Sequence, residues 1–347
     1  MDPKKRRRGI LLGALAAGAA AGLAAEKYFV GRDRRRPDPE ANEPFGELRG
    51  EPAAVTSFDG TRLHVETLGP SDAPTLVLVH GFSLNLTIWH YQMRDLPPAL
   101  RLVVCDARGH GQSEKAREGA WSLDALARDL EAVVREHGGP GPVVLVGHSM
   151  GGMTVLRFAE MFPEQIGTRV AGLALVNTTA ADVMGGMLPG AARRATAAIQ
   201  MIQEGAVRAL ASNAGRVDRL RGRSRDLAYL AVRTMGLGPK ALPSVVEFVE
   251  SVLAETPTEV WASLIPPLLG MDVSKVLDVI DVPTLIIAGS HDRMTPTGAA
   301  ARMANAIKGA ELSMIRDAGH MTMLERPQSF NARLRGFLST VAFVGRD

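Results

Sequence analysis

VVLVGHSMGG, residues 143–152, sets four apolar residues against Gly147, isolates Ser149 between Gly147 and Gly151, and runs on into a helix-compatible stretch. A G-x-S-x-G pattern by itself is common. Its context here is the one a nucleophile requires, a buried strand before and a helix after. A serine on so sharp a turn takes strained backbone angles, and neighbours with side chains would collide. The Ser149 hydroxyl is then expected at the C-terminal edge of a sheet. The Met150 N–H would sit at a helix N-terminus, where unpaired donors and the helix dipole favour an anion. The competing reading is a Gly-rich phosphate cradle, which needs either Gly-Lys-Ser/Thr or G-x-G-x-x-G. Neither is present at this turn, which has no lysine.

Working outward, VTSFDGTRLHVETLG (55–69) flanks Asp59-Gly60 with alternating segments, the strongest short hairpin signal. Apolar runs at 75–81, 100–106, 142–147 and 171–177 then alternate with amphipathic stretches. In the first of these, SLDALARDLEAVVREHGG (122–139), the leucines and valines fall at helical spacing, with Ser122 as N-cap and Gly138 as stop. Continuous apolar strands separated by such helices predict a mostly parallel sheet covered on both faces, an α/β fold. From about Asp182 to Asp278 the pattern offers only helices. It resumes with strands at 282–290 and 310–320, a helix near 298–308 and a closing helix from Pro327. The predicted organisation is a core over 54–181 and 279–347, with a helical insertion at 182–278 after the sixth strand.

A serine hydroxyl attacks only if a base takes its proton, and the base needs an orienting acid. Downstream of Ser149 there are two histidines, His291 and His320. SHDRMTP puts Asp292 just past a strand, and RDAGHM puts His320 just past the last one, giving the order Ser, Asp, His. The plain alternatives are a helix cap before Thr295-Pro296 for Asp292 and a surface loop position for His320. For the oxyanion, Gly81 in VHGFSLNLTIW lets the backbone turn toward the serine. The Phe82 N–H becomes the partner of the Met150 N–H, each such donor being worth about 3 kcal/mol of barrier.

Together HGF (80–82), DARGHGQS (106–113), GHSMGG (147–152), GSHDRMTP (289–296) and GHMTMLERP (319–327) resemble an α/β-hydrolase of the serine-esterase or lipase-like type. The resemblance runs from about residue 53 to the C-terminus. It implies an eight-stranded sheet, a helical cap at the insertion, and Ser149, Asp292 and His320 as a triad cleaving carboxylic esters through an acyl-enzyme. It implies no cofactor, and the chain shows no metal-binding spacing such as HExxH or a Cys/His cluster. Epoxide and haloalkane hydrolases need an aspartate where Ser149 stands. C–C bond hydrolases, perhydrolases and acyltransferases share the same triad, and a non-catalytic binding protein on the same fold normally lacks a member of it. The apolar insertion favours a small-molecule or lipid-like ester. His80, His110, His148 and Asp106 read as structural, packing and closing the loops around the turn, with a place bordering the pocket open to His80 and His148, and Cys105 reads as a core residue.

Composition bounds the remainder. Of 40 basic and 37 acidic residues, positions 1–36 hold ten and three, leaving the body with 30 against 34, a net charge of −4. The body therefore has no nucleic-acid footprint. Gly9–Ala25 is an uncharged Ala/Leu/Gly-rich run between basic clusters, and its 17 residues would span roughly 26 Å as a helix. Residues 1–30 are accordingly expected to be a hydrophobic anchor or an export signal, placing the protein on a membrane or in the cell envelope. Residues 31–53, rich in Pro, Arg and Glu, read as a linker.

Overall fold

A computed structural model of the chain describes residues 26–117, 119–183, 205, 212–221 and 225–341. Eight strands form one sheet: β1 (Glu51–Thr56), β2 (Arg62–Leu68), β3 (Thr75–Val79), β4 (Arg101–Cys105), β5 (Val143–His148), β6 (Val170–Val176), β7 (Thr284–Gly289) and β8 (Glu311–Ile315). Their order is β1-β2-β4-β3-β5-β6-β7-β8. The hairpin β1–β2 and the β2–β4 pair are antiparallel, and every other pair is parallel.

The continuous apolar runs have a simple cause. Successive side chains of a strand point to opposite faces, and here both faces are covered. Leu76, Leu78, Val144, Val146, Leu285 and Ile287 enter one core. Val77, Val79, Val143, Leu145, Ile286 and Ala288 enter the other. The second face is covered by α1 (Leu123–His137), α2 (Met150–Met161) and later α5 (Thr297–Ala306). The expected cap is made, since the Ser122 side chain accepts from the Ala125 N–H at 3.1 Å. The first face is covered by α3 (Pro243–Glu255) and α6 (Pro327–Leu338). Between β6 and β7 the described residues hold the helices Ala214–Arg221, Arg225–Ala231, α3, and α4 (Thr258–Leu269), with a π-helical turn at Val232–Gly236.

The segment expected as a linker behaves differently. β1 begins at Glu51, with edge-strand Pro52 opposite Glu66, a position that tolerates a missing N–H. Upstream, a helix at 26–34 and the series of turns after it pack on the body. Asp33 accepts from the Tyr229 hydroxyl at 2.8 Å and pairs with Arg233, and Asp38 accepts from the Ser244 N–H at 2.7 Å. Glu43 pairs with His90 and Arg94, and Phe45 stacks on Phe248 with centroids 4.9 Å apart. The polar composition suggested a solvated tether. These charges are instead spent on specific partners in the inserted helices and in the core. Gly9–Ala25, the expected membrane-crossing stretch, lies outside the described residues. Among the described residues no helix is long and apolar enough to cross a membrane.

Candidate active site

The strand order brings the loops that carry the expected residues to one edge of the sheet. From β3 the chain turns to β4 on one side and from the neighbouring β5 to β6 on the other, and the crevice beyond the strand ends at such a switch point is where open α/β sheets bind ligands. In the parallel register Val79 faces Gly147, so the loops that follow both strands emerge side by side. A Cβ on Gly81 would stand 3.1 Å from the Ser149 Cβ and 2.7 Å from His148 Nδ1. Glycine is required there for the two loops to touch. Ser149 holds φ 51° and ψ −116°, outside the regions open to ordinary residues. It is held there by its N–H donating to Val176 O at 2.9 Å and by its carbonyl accepting from Thr178 Oγ1 at 2.7 Å. Met150 opens α2 directly after it.

Asp292 and His320 follow β7 and β8. His320 Nδ1 donates to Asp292 Oδ2 at 2.9 Å, and both residues are buried. The same oxygen accepts from Thr295 Oγ1 and Asn177 Nδ2, each at 2.7 Å. Asp292 Oδ1 accepts from the backbone N–H groups of Met294 and Thr295, each at 2.9 Å. Asp292 thus closes its own turn with one oxygen and meets the imidazole with the other, while the helix that follows takes Pro296 as its N-cap and no side-chain cap from Asp292. Burial alone would raise its pKa. The His320 charge and the hydrogen bonds of His320 and Thr295 outweigh burial and hold it at about 2.

The backbone of His320 is clasped from two sides. Its N–H donates to Gly236 O at 2.8 Å, from the π-helical turn of the inserted segment. Its carbonyl accepts from His148 Nε2 at 2.9 Å. His148 is fully buried, and burial followed by the neighbouring His320 pushes its pKa well down. It is therefore neutral, with its proton on Nε2. Gly319 lies so close to the inserted residues that a Cβ on it would stand 2.5 Å from Gly238 N. Glu325, buried, accepts from the N–H groups of Gly238, Gly319 and Met321, which ties the His320 loop to the insertion.

The residues expected to be structural are so. His80 accepts the Ala107 N–H at 2.9 Å and donates to Gly81 O at 2.7 Å, and burial lowers its pKa to about 4. His110 accepts the Ser83 N–H at 3.1 Å, and burial, then His80, takes it to about 3. Asp106 accepts from Leu86 N at 2.8 Å and Gln112 N at 2.9 Å, closing its loop. Cys105 is buried, its thiol pushed up to about 12 by that burial. Three participants carried no motif signal of their own. Asn177, at φ 45° just past β6, bridges Asp292 to Thr322, whose hydroxyl donates to Asn177 Oδ1 at 2.6 Å. Thr295 sat inside a quoted motif without a role. Trp261 of α4 lies against Phe82 with centroids 5.4 Å apart, a contact no local pattern could announce.

The sheet order and these strand-end loops define an α/β hydrolase, and the chain belongs to the alpha/beta hydrolase fold family, whose model matches residues 74–327. Among proteins it is similar to, 3-oxoadipate enol-lactonase 2 of Acinetobacter baylyi is 28% identical over 270 residues, covering 78% of this chain and 90% of the relative. A pimeloyl-[acyl-carrier protein] methyl ester esterase of Nitrosomonas europaea is 27% identical over 273 residues, 77% of this chain and 96% of that one. In structure it is similar to a thermophilic esterase from Thermogutta terrifontis, with a TM-score of 0.67, 25% identity, and coverage of 83% of this chain and 98% of that one. It is also similar to an N-acyl homoserine lactone degrading enzyme, with a TM-score of 0.59, 30% identity, and coverage of 82% and 100%.

Proposed function

We propose that the protein hydrolyses carboxylic esters, cyclic or open, through Ser149, His320 and Asp292. The observation that carries this reading is the buried His320–Asp292 hydrogen bond of 2.9 Å beside the strained Ser149 turn. Ser149 Oγ attacks the carbonyl carbon, and its proton passes to His320 Nε2, the nitrogen left free by Asp292. The oxyanion takes hydrogen bonds from the N–H groups of Phe82 and Met150, each contributing about 3 kcal/mol. Collapse of the tetrahedral adduct breaks the ester C–O bond, and His320 returns the proton to the departing alcohol. Water, deprotonated by His320, then attacks the acyl-enzyme and regenerates the serine.

The esterases and lactonases among the similar proteins support this class of bond. The inserted helices act as a cap, with Trp261 meeting Phe82 as an apolar wall beside the oxyanion donors, which favours an apolar acyl group. Residues 9–25 would hold the enzyme at a membrane. A fluorophosphonate should label Ser149. Ser149→Ala should lower p-nitrophenyl ester turnover by on the order of 10⁵-fold at unchanged folding, as expected when a triad member is lost. Retained turnover would overturn the assignment. A profile of ester chain lengths then reads the acyl preference.

A further inference from the structure

Nine large apolar side chains stand exposed among the described residues, and five of them belong to the segments that border one hollow. Tyr28 and Phe29 project from the helix at 26–34, their rings edge to face at 5.6 Å. Phe29 borders a hollow of about 450 Å³ with Leu230, Thr234, Leu237, His291 and Arg293 among its other walls. Exposed Met235 adjoins Thr234, exposed Met294 adjoins Arg293, and the two segments are joined by Arg293 Nη1 donating to Thr234 O at 2.6 Å. Exposed Leu227 stands one helical turn before Leu230. A soluble protein seldom gathers apolar groups of this size without a partner.

The surrounding charge is basic where it is not already neutralised. Asp33 is paired with Arg36 and Arg233, Asp226 with Arg34, and Asp317 with Lys240. Lys27, Arg32 and Arg35 are exposed and make no ion pair among the described residues, and Arg293 is exposed as well. Among the described residues 26–40, Glu26, Asp38 and Glu40 are the carboxylates without an ion pair, and Asp38 and Glu40 accept hydrogen bonds from the Ser244 N–H and the Tyr91 hydroxyl. In sequence, the helical residues 26–34 that carry Tyr28 and Phe29 follow directly on the uncharged run Gly9–Ala25.

We propose that this face, formed by the 26–34 helix, the π-helical turn and the loop after Asp292, docks on an anionic phospholipid bilayer. The aromatic and methionine side chains enter the interface, while Lys27, Arg32, Arg35 and Arg293 meet lipid phosphates. The docked face includes Met294, whose N–H donates to Asp292. The acid loop of the site therefore lies at the membrane, where an apolar ester would be drawn from the lipid phase. This goes beyond the reading of residues 9–25 as a membrane segment, on which it rests: an anchor alone leaves the body free to tumble above the bilayer.

The test uses the full chain carrying a single environment-sensitive fluorophore on Met235→Cys, Met294→Cys or Val279→Cys, since Cys105 is buried. Val279 is exposed but belongs to the turn Ser274–Val279, whose buried residues enter the core on the other face of the sheet. Each labelled protein is mixed with vesicles of phosphatidylglycerol and phosphatidylcholine, and flotation is scored alongside emission. The expected result is flotation with a blue shift at 235 and 294, none at 279, and a smaller shift on phosphatidylcholine alone. Flotation without a shift at 235 and 294 overturns the docking face and leaves the anchor standing. An equal shift at 279 also overturns it, as non-specific adsorption. Absence of flotation overturns anchor and docking together.

Discussion

Asp292 and Asp129 are both buried carboxylates, and they do different things because their partners differ. Asp292 receives neutral donors from Asn177, Thr295 and two backbone N–H groups, with a single ionisable partner, His320. Asp129 is gripped by Arg108, through Nε at 2.7 Å and Nη2 at 2.6 Å, with a further bond from Ser57. Arg108, itself fully buried, also reaches Asp59 at 2.9 Å. Arginine is charged at every working pH, so the second cluster is a fixed fastener between the β1–β2 turn, the DARGHG loop and α1. Histidine can gain and lose a proton, so the first cluster can drive chemistry. Burial alone does not separate the two; the acid–base range of the partner does.

Between the two clusters, the larger expected effect tests the first. Asp292→Asn keeps the shape but places an amide where the carboxylate was, favouring the wrong imidazole tautomer. The kcat for ester hydrolysis should fall roughly 10³–10⁴-fold with circular dichroism unchanged. A loss below tenfold would break the contrast. Arg108→Met tests the second cluster from the other side. It strands Asp129 without its cation and should cost about 3–5 kcal/mol in a denaturant titration, while the folded fraction keeps its kcat. A kcat loss like that of Asp292→Asn would show the fastener to be part of the machinery.

Proton linkage gives a smaller effect. The Asp292 pKa is lowered from 3.8 to about 2, so its contribution is present above pH 3.8 and is lost as pH falls toward 2. It amounts to about 2 kcal/mol. The stability gap between the wild type and Asp292→Asn should close over that window, and a constant gap would contradict the depressed value. His148 gives the smallest. His148→Phe removes the hydrogen bond to the His320 carbonyl and should lower kcat about tenfold with KM unchanged. His148→Gln, which can still donate, should recover most of it. Equal losses for Phe and Gln would make the role one of packing.

Much of the site was legible because its geometry is local. A strained serine needs glycines on either side of it in sequence, and residues just past parallel strands share one edge whatever lies between them. Asn177 was not legible. An asparagine past a strand is unremarkable until the β6–β7 register places it over Asp292. Trp261 and Gly236 were hidden for a related reason: their partners, Phe82 and His320, are remote in sequence. The 31–53 segment misled because composition reports solubility, and its charges find partners only once the inserted helices are folded beside it.

By itself, then, the sequence determined the α/β alternation, the strand-end positions of Ser149, Asp292 and His320, and their order along the chain. Those follow from periodicity and from what each turn can tolerate, which are near-neighbour properties. The tertiary structure decided which face covers each strand, which side chains hold Asp292 ionised, and what grips the His320 loop. Those depend on strand order and on contacts between segments far apart in the chain, and such contacts are chosen by packing the whole fold rather than by any stretch of it.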